Sequence, residues 1–255
     1  MSARPRLIGQ RQPRQAARLG RLGRLARGLT LAVALMTAAL AMAGPEQDQA
    51  ELYAALPTDD VHTVRKLLVR GISPNLVHPE QGPLIVMAAQ MKAFGAVRAL
   101  LDSRVTDVNA ANPRGETALM YLAMFGETEL ARQLIRRGAQ VNQTGWTPLH
   151  YAAATGQLGM IRLLVDEHHA YIDAASANGT TPLMLAAREG QTRAARLLVE
   201  LGADPSLRNQ AGLGAPEYFL RRDQPEEARQ LAEKASEFLR RYGTRDAPVP
   251  AAARP

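Results

Sequence analysis

The sequence predicts an all-α solenoid of stacked helix-turn-helix units, on the strength of two motifs that recur in step and the glycines that punctuate them. The stretch Thr147-Pro148-Leu149-His150-Tyr151-Ala152 returns one unit later as Thr181-Pro182-Leu183-Met184-Leu185-Ala186. Weaker copies stand at Gly82-Pro83-Leu84, Thr117-Ala118-Leu119 and Gly214-Ala215-Pro216, so successive starts lie 35, 30, 34 and 33 residues apart, a period of about 33. The second motif is Lys66-Leu67-Leu68-Val69-Arg70-Gly71, then Ala99-Leu100-Leu101, Gln133-Leu134-Ile135-Arg136-Arg137-Gly138-Ala139, Leu163-Leu164-Val165 and Leu197-Leu198-Val199-Glu200-Leu201-Gly202-Ala203-Asp204.

Each part of the unit has a mechanical reason. Thr147 and Thr181 can cap a helix through their hydroxyls, and the proline that follows suits the first helical position, where a missing N–H costs nothing. Ala152-Ala153 and Ala186-Ala187 let helices approach closely, and Gly126, Gly156 and Gly190 allow a tight turn into a second helix. The second helix carries its leucine pair one turn from its end, where Gly71, Gly138 and Gly202 suit a left-handed C-terminal cap. Turn-rich connectors, residues 109–115 and 173–179, lead to the next threonine. A unit this small cannot bury enough apolar surface alone, so its stability must come from stacking.

With these residues in view, the chain resembles the ankyrin-repeat family over residues 49–220, most specifically in the two Thr-Pro-Leu units. That resemblance implies short β-hairpin loops between helix pairs and five to six repeats within a domain spanning 44–243. The first unit, 49–74, lacks the Thr-Pro-Leu element and the last has lost its threonine, as suits ends that present one face to water. Beyond them, 225–242 places Ala228, Leu231, Ala235, Phe238 and Leu239 at helical spacing, predicting an amphipathic C-terminal capping helix. Residues 244–255 are rich in Pro and Ala and are expected to be disordered.

Ahead of the repeats, residues 1–28 hold eight arginines and no acid, residues 29–41 are uncharged and apolar, and Ala41-Met42-Ala43 precedes Gly44. These are the three regions of a secretory signal peptide, expected to be cleaved after Ala43. The alternatives are an uncleaved anchor, although a spanning helix needs an apolar run of about 18 residues, longer than this one, and a mitochondrial transit peptide, although those lack so unbroken an apolar block. Cleavage makes the product periplasmic or secreted, without membrane insertion. The absence of cysteine excludes lipid attachment at the cleavage point and a disulfide scaffold. Of 31 basic residues, eight belong to the leader, leaving 23 against 24 acidic ones. Without a basic excess, nucleic acid is an unsuitable partner.

No phosphate-binding loop, nucleophile elbow or zinc-binding His-Glu-x-x-His helix is present, and Gly212-Leu213-Gly214 lacks the rest of a dinucleotide pattern. His168 and His169 follow Asp166-Glu167, yet metal sites need three or four converging ligands. They read as histidines at a helix C-terminus, favoured there by its dipole, with one replacing the glycine of the other repeats in a connector one residue longer. The expectation is no catalytic residue, no cofactor and no metal.

The resemblance gives His150 a structural role, tying neighbouring loops by hydrogen bonds, and Tyr151 and Leu185 read as packing residues. It also implies recognition through the hairpin tips and first helices, which line a concave surface. The positions so selected are Arg114, Glu116, Met124 and Phe125 in the third unit, Trp146, Ala154 and Thr155 in the fourth, and Asn178, Thr180, Arg188 and Glu189 in the fifth. Met91 and Lys92 align less securely in the second. Met124, Phe125 and the only tryptophan, Trp146, are expected to lie close together as a binding hot spot, against the alternative that Met124 and Phe125 plug a gap between repeats. The connector over 141–147 is three residues shorter than its counterpart over 108–117, which predicts a clipped hairpin and a notch beside Trp146. The function expected is a monomeric, exported, non-catalytic adaptor for a protein partner. Exported bacterial ankyrin proteins extend that to protecting or regulating another envelope or stress-response enzyme, such as catalase, although no residue here argues for it. The competing class is a small-ligand or metal-binding periplasmic protein using the His168/His169 region or a pocket in the groove.

Overall fold

The computed structural model describes residue 44 and residues 46–243. The expected signal peptide, its cleavage point and the C-terminal tail after residue 243 lie outside the described residues. From Leu52 onward the chain forms one unit built of helix pairs. Helical residues 52–55 precede α1 (Val61–Val69), and then come α2 (Leu84–Gln90) with α3 (Phe94–Asp102) and α4 (Ala118–Phe125) with α5 (Thr128–Arg136). The series continues with α6 (Pro148–Ala154) and α7 (Leu158–Arg162, extended by a π-helix over Leu163–Glu167), α8 (Pro182–Arg188) and α9 (Thr192–Glu200), and α10 (Ala215–Arg221) and α11 (Pro225–Tyr242). Between α1 and α2, β1 (Val77–His78) pairs antiparallel with β2 (Gly82–Pro83) in the register Val77↔Pro83 and His78↔Gly82. A single bridge, Ala111↔Thr117, marks the next hairpin.

The two helices of a pair have different jobs, which their sequences state. First helices stack in a row, α2 on α4, α4 on α6, α6 on α8 and α8 on α10, so α2 and α8 are buried all round, as an enclosed helix must be. Ala152, Ala153, Ala186 and Ala187 are fully buried between these helices. Second helices are amphipathic; α5 buries Leu130, Ala131 and Leu134 and turns its charges outward. The turn at Gly126 is left-handed, with φ 75°, a conformation that glycine reaches without strain.

The two capping threonines differ. Thr181 accepts the Met184 N–H at 3.3 Å, as expected. The Thr147 hydroxyl also bonds to Nδ1 of His150 at 2.9 Å, and the same Nδ1 accepts the Thr147 N–H at 3.1 Å, which closes a capping box.

A ladder of side chains that the sequence reading passed over stitches each repeat to the next. Asn75 donates to the Val105 carbonyl at 2.7 Å and accepts the Asp107 N–H at 2.8 Å. Asn109 does the same to Gly138 and Gln140, and Asn142 to His169 and Tyr171, while Asp173 accepts the Asp204 N–H. Each rung satisfies loop backbone groups that no helix serves.

The extra residue near His168 is absorbed inside α7. Its last turn opens into the π-helix, and His169 takes the left-handed backbone, φ 53°, that Gly202 holds at φ 101° in the next repeat. Neither histidine gathers ligands: among the described residues no group of three or more His, Cys, Asp or Glu is placed to hold a metal.

The capping helix occupies its expected span. Ala228 and Leu231 are buried, whereas Leu239 is 37% and Tyr242 61% exposed, so only the first half of α11 covers the last repeat.

Candidate functional site

The connectors between helix pairs form a row of fingers beside the N-termini of the first helices. The third finger, 110–117, is shaped by Asn112, whose Oδ1 accepts the N–H groups of Arg114 and Glu116 at 2.9 and 3.0 Å. This loop turns the Glu116 carboxylate inward, where it collects four partners. Oε2 accepts from Asn112 Nδ2 at 2.7 Å, Arg114 Nε at 2.9 Å and the Tyr121 hydroxyl at 2.6 Å, and Oε1 accepts from the Tyr151 hydroxyl of α6 at 3.1 Å. Burial pushes the carboxyl up, but the bonds from Tyr121, Asn112, Arg114 and Tyr151 outweigh it and bring it down to about 2. Burial, and then the charge of Glu116, push the Tyr151 hydroxyl well above its ordinary value.

Glu116 stands among the positions expected to serve recognition. With 18% of its side chain exposed and its oxygens committed, it is a hub joining the third and fourth repeats. Tyr151, read as a packing residue, is the far end of that hub. Glycine and polar neighbours hid both roles, because the pairing joins residues 35 apart in sequence.

The short fourth connector leaves an opening of about 500 Å³, lined by Arg114, Gly115 and Glu116 on one side, Gln143 to Trp146 on the other, and Met120 and Tyr151 below. The expected notch is there. Trp146 stands at its edge, 39% exposed, with its ring 5.7 Å from those of His150 and Tyr151. His150 is fully buried, and its Nε2 bonds to the Thr180 carbonyl at 3.0 Å. A carbonyl only accepts, so Nε2 carries the proton and Nδ1 accepts from Thr147 N–H at 3.1 Å. Burial lowers its pKa to about 4, against the smaller opposing effect of the Thr180 bond.

Phe125 does not join Trp146. Its ring meets Phe94 at 6.2 Å and Lys92 Nζ at 4.7 Å, beside the exposed Met91. The reason is geometric: Phe125 ends α4, Trp146 precedes α6, and opposite ends of stacked helices of this length lie about 12 Å apart. The face therefore carries two apolar clusters where one was expected.

The remaining selected positions divide. Thr180 is 3% exposed, its N–H donates to Ser176 Oγ and Asn178 Oδ1, and its carbonyl accepts from His150 Nε2. The Thr155 hydroxyl donates to the Met124 and Tyr151 carbonyls, and the exposed Asn178 braces the fifth finger. Arg188 and Glu189 pair with each other at 2.9 Å on the surface, while Arg114 remains largely exposed beside its Glu116 bond.

Comparison with known families meets this geometry. Residues 52–144, 85–176 and 123–209 each match the family described as ankyrin repeats (3 copies). The chain belongs to the ankyrin-repeat family. Similar proteins include the B-cell lymphoma 3 protein homolog of Mus musculus, 31% identical over 168 residues, covering 63% of this chain and 37% of that protein. The Protein fem-1 homolog A-like of Mus musculus is 34% identical over 107 residues, 41% and 16% of the two chains. Transient receptor potential cation channel subfamily A member 1 of Homo sapiens is 28% identical over 125 residues, 47% and 11%. The chain thus spans well under half the length of each relative. Ankyrin repeats point to protein–protein interaction. No helix among the described residues is long and apolar enough to cross a membrane.

Proposed function

We propose that this ankyrin-repeat protein is an exported, monomeric, non-catalytic adaptor that grips a protein partner with its fingers and first helices. The observation that carries this reading is Trp146, held by His150 and Tyr151 at the mouth of an opening yet 39% exposed. A large aromatic ring on a rigid base beside a cleft is the form of an interface hot spot. The Met91, Lys92 and Phe125 cluster gives a second anchor on the same row of repeats. The polar groups around the opening are engaged in hydrogen bonds that fix the scaffold, an arrangement that suits binding better than proton transfer. The arginine-rich leader with its apolar block supports export, and the near balance of charge after residue 43 supports a protein partner over nucleic acid. In an envelope, the partner would be another enzyme that the repeats protect or regulate.

The test is affinity capture with the full chain expressed in its own cell, beside a folded Phe125→Ala, Trp146→Ala double variant. One abundant envelope protein captured by the first and lost from the second is the expected result. Equal capture by both would place the site elsewhere, and a chain isolated with residues 1–43 intact would refute export by cleavage.

A further inference from the structure

Among the described residues, fingers touch where the second meets the third and where the fifth meets the sixth. The second and third are so close that a methyl group on Gly82 would meet Asn112 Cα at 3.0 Å, and one on Gly179 of the fifth would meet Asn209 Cα of the sixth at 3.3 Å. Between the fifth and sixth the backbones also bond, Gln210 N–H donating to the Asn178 carbonyl at 3.0 Å. Gly115 of the third finger faces open space instead. Arg114 holds the place in the third finger that Asn178 holds in the fifth, three residues before the threonine that opens the first helix. Among the described residues no backbone N–H reaches the Arg114 carbonyl. The three residues missing from the fourth connector are the ones that would have filled this space, and the opening of about 500 Å³ stands in their stead.

We infer that the opening receives an extended segment of the partner, which replaces the missing part of the fourth finger. This rests on the adaptor reading above and specifies its chemistry. The segment offers a backbone N–H to the Arg114 carbonyl, as Gln210 does to Asn178, so it cannot place proline there. It sets a large apolar side chain over Trp146 and Met120, since the Glu116 charge is already paired with Arg114 at 2.8 Å and the opening offers no other carboxylate to a cationic one. Strand-like addition of this kind takes affinity from the main chain and selectivity from one pocketed side chain.

Trp146 is the only tryptophan, so its emission reports the site directly. The full chain is titrated with blocked hexapeptides carrying phenylalanine, leucine or isoleucine at the centre of a serine and threonine background. A saturable blue shift is expected for the phenylalanine or leucine peptides. Methylating the backbone nitrogens of the same peptides should weaken it at least tenfold. So should inserting a copy of residues 110–112 after Asn142, which rebuilds the finger; Val69→Ala, on the exposed side of α1, should leave it unchanged. If the insertion abolishes cooperative melting, Thr144→Arg, which fills the opening from an exposed position, carries the same expectation. Equal binding by N-methylated peptides, equal binding by the rebuilt finger, or no shift with any peptide would overturn the inference. A rebuilt finger that still captures the cellular partner would defeat this inference while the adaptor reading survives; a wild-type chain that captures nothing would defeat the adaptor reading.

Discussion

Between α6 and the fifth finger, the neutral ring of His150 donates to Thr180 and accepts from Thr147, so a proton on Nδ1 would remove the acceptor and place a charge in the core. Its pKa is about 4 when folded against about 6.5 when unfolded. The unfolded chain therefore takes up the proton first, and stability falls as pH drops from about 6.5 toward 4, by at most about 3 kcal/mol. Denaturant melts at pH 7 and pH 4.5 should show this loss, and His150→Gln should remove that part of the slope while costing about 2 kcal/mol at pH 7. A variant with an unchanged slope would contradict the assignment. Glu116 adds a separate loss in more acid solution, since its depressed carboxyl protonates in the unfolded chain near 4.5 and in the folded one near 2. Tyr151→Phe leaves Oε1 without its one partner and should cost about 1 kcal/mol, measured in the same melts. The structural role of His150 was legible only through the family resemblance of its motif; the hub was not legible, since nothing local in Glu116 announces two tyrosines from different helices.

At the scale of the element, the repeat unit was legible almost throughout, because its starts, turns and stops each rest on local backbone chemistry. Capping residues and left-handed glycines act within a few positions, so their period survives in the sequence. What escaped depended on neighbours in space: the burial of Thr180, the separation of Phe125 from Trp146, and the Asn75, Asn109, Asn142 and Asp173 ladder. The π-turn lies between the two cases, its extra residue visible as a longer connector and its accommodation visible only in α7. His169 pays there for a backbone that glycine would accept, so His169→Gly should raise stability by about 0.5–1 kcal/mol, read as a higher melting midpoint. A lower midpoint would mean that the His169 side chain supports the turn. In α11, Leu231→Ala should cost about 2–4 kcal/mol because Leu231 is one of two residues seating the cap, whereas Leu239→Ala on the exposed half should change stability by less than about 0.5 kcal/mol.

From Leu52 onward the described chain is a stack in which each repeat borrows its core from its neighbours, and the rungs and first helices run from one repeat to the next. Such an array presents a long rigid surface, and the fourth finger interrupts it where the only tryptophan stands. That interruption was legible from spacing alone, since three absent residues cannot be made up by packing, whereas what fills it lies beyond the chain itself. The most direct measurement of the central claim is hydrogen–deuterium exchange of the full chain with and without its captured partner. The account predicts slowed exchange at residues 112–117 and 143–147, with α5, α7 and α9 unaffected. Protection confined to those second helices, with the two fingers exchanging as in the free chain, would contradict it.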